Sequence, residues 1–329
     1  MPATRPTART AAAAIALVVA AAVGAGLWWA LGRDDPDRDC AGLRGDERVR
    51  TVLGATWRSD LSCGELADGL RRATAGDRPG SHTPEQARAL RRVLLAVAGR
   101  PDHRVHPQVR GPLAAALADY AADTHAVLTG VNDAYLAHDA PDADVWQDGQ
   151  GVHVAVPKSD LIDVLRGLSE DPAAYAVLRA ADLRQGAAGL GAVGPDPAEA
   201  VITDPLVRAA ASAGVFDGIA DDVLRGRGDE ARTDWRDAAL RGLAPSGERP
   251  AFAADPAGHL AQGWLRQVAG APDRFERLHD EAAALLALWT EASGQDGGRI
   301  GLPALQDRAR TTTDRERTTT AAQLRQGGG

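Results

Sequence analysis

Lysine, asparagine, methionine and cysteine are almost missing from this 329-residue chain. Lys158 is the only lysine, Asn132 the only asparagine, and there are one methionine and two cysteines. Two cysteines exclude a disulfide-dense mini-protein and a four-cysteine zinc site. Aromatic residues make up 4%, so a core must be built from Leu, Val and Ala. That excludes most β-sandwich designs and favours closely packed helices. The net charge of −8 argues against a general nucleic-acid binder, which carries a basic domain. The phosphate loop GxxxxGK[ST] and the signatures HExxH, GxSxG and SxxK are absent. The glycine stretch Gly186 to Gly194 (GAAGLGAVG) follows no strand, so it lacks the context of a dinucleotide-binding turn. No cofactor is expected.

What is present begins with residues 11–32, AAAAIALVVAAAVGAGLWWALG, which carry no charge. At about 1.5 Å per residue they reach about 33 Å, enough for a bilayer core. Arg5 and Arg9 precede them; Arg33, Asp34, Asp35, Asp37, Arg38 and Asp39 follow. The positive-inside rule then puts the N-terminus in the cytoplasm and the bulk outside. Trp28 and Trp29 fall where an aromatic belt sits. A cleaved signal peptide, cut after Ala20-Ala21-Ala22, is the rival; its apolar region is ordinarily shorter. The reading is a cytoplasmic N-terminus (1–10), a transmembrane helix (11–32), a linker (33–39), a helical extracytoplasmic domain (40–303) and a polar Thr/Arg-rich tail (304–329). The expected location is the cell membrane, single-pass, with the lipid bilayer as first partner. Cys40 and Cys63 then share an oxidising space, and a bridge between them would contribute about 3 kcal/mol in the chain-entropy view.

Helix starts and stops are legible. Ser62 and Glu65 form a capping box. Thr83, Pro84 and Gln86 open a helix that closes at Gly99, with Leu90, Val93, Leu94 and Val97 on one face. Gly111-Pro112 opens another, ending at Gly130. Ser159 caps a helix bearing Leu161, Leu165 and Leu168. Asp171-Pro172, Asp204-Pro205 and Asp255-Pro256 read as three further starts. Helices are also predicted over 229–243 and 272–293. The alternation Val145-Trp146-Gln147, Asp148-Gly149, Val152 to Val156 predicts a small hairpin and a subdivision near 140–158. The fold class is mostly α, with nine to twelve helices after Cys40. Residues 308–321, RARTTTD-RERTTTA, repeat at seven without apolar a and d positions; they predict a solvated helix or a disordered tail.

Few residues suggest chemistry. His103 and His106, with Asp102, have the spacing of two metal ligands but no third. Asp123 with His125 lies near a helix end, and His279 with Asp280 and Glu281 on a polar helix face. Arg88, Arg91 and Arg92 share a face that suits anionic headgroups or plain solvent. A glycosidase needs two opposed carboxylates, and no pair can be singled out among 45 acids.

The segments DCAGLRGDERVRTVLG, DLSCGELADGL and HTPEQARALRRVLLAVAG within Cys40 to Gly99 resemble uncharacterised actinobacterial single-pass membrane proteins with a helical extracytoplasmic domain. Leu117 to Gly130 and His153 to Asp182 are similar in the same way, and also resemble helical regions of secreted proteins associated with toxin-type modules. The resemblance implies location and helical fold and transfers no active residue. The expected function is a membrane-anchored, non-catalytic tethering or docking protein of the cell envelope, with an envelope protein as partner. The alternative is a hydrolase of cell-envelope glycan with unidentified carboxylates.

Overall fold

Side-chain caps start many of the helices. Ser62 and Glu65, and Thr83 and Gln86, form reciprocal capping boxes. Asp46, Asn132, Asp171 and Asp255 each accept a first-turn amide. Each such cap is worth about 1 kcal/mol. The computed structural model describes residues 36–76, 80–100, 104–130, 132–140, 142–194 and 197–327. In chain order these form α1 (Pro36–Gly45), α2 (Glu47–Leu53), α3 (Cys63–Thr74), α4 (Pro84–Ala98), α5 (Pro107–Asp119), α6 (Ala121–Thr129) and α7 (Asp133–Ala137). A two-stranded hairpin follows, β1 (Trp146–Gln147) and β2 (Val152–His153). Then come α8 (Lys158–Leu168), α9 (Pro172–Gly191), α10 (Glu199–Arg225), α11 (Asp229–Gly242), α12 (Pro256–Gly270), α13 (Arg274–Arg277), α14 (Glu281–Ala292) and α15 (Leu302–Gly327).

Two apolar cores form, and α9 and α10 run through both. One gathers α1 to α8, the first part of α9 and the C-terminal part of α10 around Leu66, Leu90, Tyr120, Tyr175 and Phe216. The other gathers the ends of α9 and α10 nearest each other with α12, α14 and the start of α15, around Trp264, Leu285 and Trp289. A fully buried Leu or Phe contributes about 2 kcal/mol. Cys40 and Cys63 are joined in a disulfide with Cα atoms 5.7 Å apart, inside the range such a bond requires. It staples α1 to the first residue of α3.

The anchored architecture needs correction. Among the described residues no helix is long and apolar enough to cross a membrane. The two longest, α10 and α15, carry charges along their length, which a bilayer would not accept. The segment 11–32 on which the transmembrane helix, the membrane location and the bilayer partner rested lies outside the described residues. The described residues form a mostly helical body with one small sheet.

Several boundaries also moved, each for a tertiary reason. The helix expected to open at Gly111-Pro112 begins at Pro107, capped by His106, and Pro112 lies inside it. It breaks at Tyr120, whose hydroxyl donates to Thr74 O at 2.9 Å and whose ring stacks on His82. Pro157 rather than Ser159 precedes α8. Pro205 opens no helix; it lies within α10, with its ring against Gly189 of α9. Residues 272–293 divide into α13, a 3-10 turn at Leu278–Asp280 and α14. In the hairpin Trp146 pairs with His153 and Gln147 with Val152, and the turn runs from Asp148 to Gly151.

The largest departure is the Thr/Arg repeat. It is a helix, but one solvated on its outer face only: it is the middle of α15, packed along α10. Thr312, Thr313 and Thr320 are buried. A Cβ added at Gly214 or Gly218 of α10 would collide with the carbonyl oxygens of Thr313 and Arg317. The seven-residue spacing puts Thr313 and Thr320 on one face over this glycine groove, and Thr313 Oγ1 donates to Ala210 O at 3.2 Å. Close backbone approach replaces the large a and d side chains of a coiled coil.

Candidate functional site

The first concentration of ionisable groups lies where the hairpin meets α6 and α7. Asp123 of α6 is 4% exposed. It accepts from Tyr135 Oη at 2.5 Å, His153 Nδ1 at 2.9 Å and the Val154 amide at 3.2 Å. His153 Nε2 meets Asp148 Oδ1 at 2.9 Å. The His153 ring stacks on Trp146, which stacks on His138, and Tyr135 meets Trp146 edge-on. Burial works against a charged imidazole, yet the bonds to Asp123 and Asp148 hold its pKa above the ordinary histidine value. With a carboxyl group on each nitrogen, the doubly protonated ring satisfies both contacts and has no lone pair to act as a base. Burial pushes the Tyr135 hydroxyl far up, so it stays a donor.

The second concentration lies deeper. Arg179 of α9 is fully enclosed and donates to Asp217 of α10 at 2.5 Å, Tyr175 Oη at 3.1 Å, Leu278 O at 3.1 Å and Glu281 Oε2 of α14 at 3.3 Å. His279 Nδ1 meets Asp217 Oδ2 at 2.7 Å, and Arg317 of α15 holds Asp221 in two bonds of 2.6 and 2.9 Å. Burial would raise Asp217, but the Arg179 guanidinium and His279 hold it below the usual carboxylate range. Glu281, farther from the guanidinium, is pushed up to about 7 by burial. Arg179 itself is kept charged by Asp217 against its burial. Asp217 and Glu281 are an acid pair whose environments push them apart, one down and one up, as an acid–base pair would need. The Arg179 side chain fills the space between them that a substrate would need, and both are nearly inaccessible.

An open concavity lies elsewhere. Between α11 and α12, both packed on α9, a groove of about 270 Å³ has an apolar floor of Leu240, Leu243, Leu265 and Val268 and a rim of Asp237, Arg241 and Arg274. Arg241 and Arg274 make no ion pair among the described residues.

The residues singled out from sequence are scattered. His106 accepts from the Gln108 amide as the cap of α5, while Asp102 and His103 lie outside the described residues. Among the described residues no group of three His, Cys, Asp or Glu side chains is placed to hold a metal. Asp123 and His125 part company: His125 Nδ1 meets Asp182 at 2.8 Å. Asp280 takes Arg277 and Arg310, while Glu281 faces Arg179. The arginine face of α4 is not a plain solvent or headgroup face. Arg91 is 7% exposed and donates to the carbonyls of Ala155 and Ala140, and Arg88 pairs with Asp144. Gly186 and Gly191 serve helix contact, meeting Ala209 and Pro256. Sequence reasoning missed His153, Asp217 and Arg179; a charged residue among Leu and Ala on a buried helix face was the available signal for the last two.

No family model, curated protein or solved structure matches the chain, and nothing there bears on the resemblance noted from the sequence.

Proposed function

We propose that this chain is a non-catalytic helical docking protein of an oxidising compartment, and that its partner seats in the groove between α11 and α12. The observation that carries the reading is that groove: an apolar floor under two exposed guanidinium groups that form no ion pair among the described residues. An otherwise acidic chain presents there the complement of a segment that pairs an apolar side chain with an acidic one. The interior charge clusters favour a scaffold over an enzyme, because their carboxylates are already held by Arg179, His153 and Tyr135. The Cys40–Cys63 bond supports the oxidising location.

The test is a photo-crosslinking residue at position 240 of the intact, oxidised chain, with the same residue at exposed position 177 as control. One dominant adduct at 240, lost when Arg241→Glu and Arg274→Glu are combined, is expected. An adduct that survives the double reversal, or no adduct beyond the control, would overturn the assignment.

A further inference from the structure

His279 sits in the 3-10 turn between α13 and α14, where α10 and α15 also meet. Its Nδ1 lies 2.7 Å from Asp217 of α10, its Nε2 3.0 Å from Arg317 Nη1 of α15 and 3.4 Å from Glu276 Oε2 of α13. The other charges around it are Asp221 on α10, Arg179 on α9, Asp280 beside it with Arg277, Glu281 opening α14, Arg310 of α15, which reaches Asp280 at 3.2 Å, and Arg236 of α11, which meets the other oxygen of Glu276 at 3.5 Å. The bond to Asp217 requires a hydrogen on Nδ1. Arg317 can only donate, so the 3.0 Å contact requires a lone pair on Nε2 and a neutral ring. A second proton turns Nε2 into a donor. It then faces the guanidinium with nothing to offer and has Glu276 as its acceptor.

We propose that His279 is a pH-sensitive latch on the C-terminal helix. Neutral, it accepts from Arg317 and holds α15 against α10; doubly protonated, it takes Glu276 instead and lets the far half of α15 part from the body.

The direction follows from which charges travel. Asp217, Glu276, Glu281 and Arg310 stay on the body when the far half of α15 moves; Arg317 leaves with it. The charge that this half brings to the ring is therefore positive, and its docking disfavours the imidazolium. By reciprocity, protonation disfavours docking. Burial, Arg317 and Arg179 oppose the second proton, but Asp217 outweighs them and keeps the ring above the ordinary histidine value. The change therefore falls above the ordinary histidine range rather than at strong acid. The seat suits release: beyond Ala309 the buried face of α15 is Thr312, Thr313, Thr320 and Ala321, with Leu324 as its single large apolar anchor. Leu305 and Ala309 remain in the second core.

The test is backbone amide exchange on the full oxidised chain between pH 8 and pH 5, corrected for intrinsic rates, with α4 as internal reference. Protection from Asp314 to Leu324 should fall about tenfold relative to α4 on acidification, the loss of one charge-assisted hydrogen bond. His279→Gln, neutral throughout, should abolish the step. Glu276→Gln, at an exposed position on α13, should move it to lower pH by removing the acceptor of the protonated ring. Protection that ignores pH, a step that survives His279→Gln, or one that stays in place in Glu276→Gln would overturn the latch; the last readout stands even where His279→Gln does not fold.

Discussion

His153 and His279 begin alike and end differently. Each places Nδ1 on an aspartate that is almost wholly buried, Asp123 at 2.9 Å and Asp217 at 2.7 Å. At Nε2 the first finds a carboxylate, Asp148, and the second a guanidinium, Arg317. That one difference of sign separates a clamp from a switch. Between two carboxylates the imidazolium is the only form that satisfies both, so the hairpin is held by charge. Between a carboxylate and a guanidinium the neutral form satisfies both, and the added proton has to find another partner. Both rings have pKa values above the ordinary one. Each therefore contributes stability to the whole fold that is fully present below the unfolded histidine value and is lost as pH rises through the folded one. Local effects diverge: the hairpin loosens in alkali, the far half of α15 in acid.

The severest way to break the comparison is to remove the cation behind it. Arg179→Met leaves Asp217 and Glu281 buried without the guanidinium that holds both. Breaking a buried pair by deleting one partner costs about 3–5 kcal/mol, and the urea midpoint at pH 7 should fall accordingly. A midpoint within about 1 kcal/mol of the parent would mean that Arg179 is not the charge on which the second cluster depends.

Why one half of this architecture was readable and the other was not follows from distance along the chain. The boxes at Ser62 and Thr83 join residues three apart, and the caps at Asp171 and Asp255 are as local, so the starts of α3, α4, α9 and α12 are written where they occur. Asp204-Pro205 carries the same two letters yet lies inside α10, because Gly189 of another helix receives the proline ring. Tyr120 ends α5 through Thr74, 46 residues away. The Thr/Arg repeat looks polar until Gly214 and Gly218 are placed beneath it. Candidate chemistry obeys the same rule. His153 and its aspartate are 30 positions apart, and His279 and its own are 62 apart. Neighbours in sequence, such as Asp123 and His125, diverge on the helix to separate partners. The cysteine pair could be named because there were only two.

A gentler perturbation separates Glu281 from His279 as sources of pH dependence. Glu281 is raised to about 7, so its contribution is present below the unfolded glutamate value and is lost as pH rises toward and through about 7. Glu281→Gln keeps the shape and removes the titration. At pH 8 the variant should be more stable than the parent by about 3 kcal/mol, with the gap closing near pH 4.5. Chemical denaturation across that interval measures it. A constant gap at all pH values would show that packing, not the proton, sets the difference. The acid-side loosening of α15 should survive this substitution, since Glu281 stays on the body and the latch charges are elsewhere.

The smallest expected effect is the most discriminating between clamp and switch. Asp148 is about half exposed, beside the hairpin turn, and supplies the second carboxylate of His153. Asp148→Asn removes that charge while leaving an oxygen that can still accept from Nε2. Global stability should scarcely change, because solvent already screens the contact. The ring, however, loses one of the two anions that hold its second proton. Its titration midpoint, followed by the imidazole carbon-bound proton resonances, should move down toward the ordinary histidine value. The stacked Trp146 gives an independent readout, since its fluorescence should report the same lowered midpoint. Replacing the buried partner, Asp123→Asn, should move the midpoint farther. That aspartate also holds Tyr135 and the Val154 amide, so the variant should destabilise the hairpin as well. If Asp148→Asn left the midpoint where it was, the second carboxylate would not be what makes His153 a clamp. The contrast with His279 would then rest on Arg317 alone.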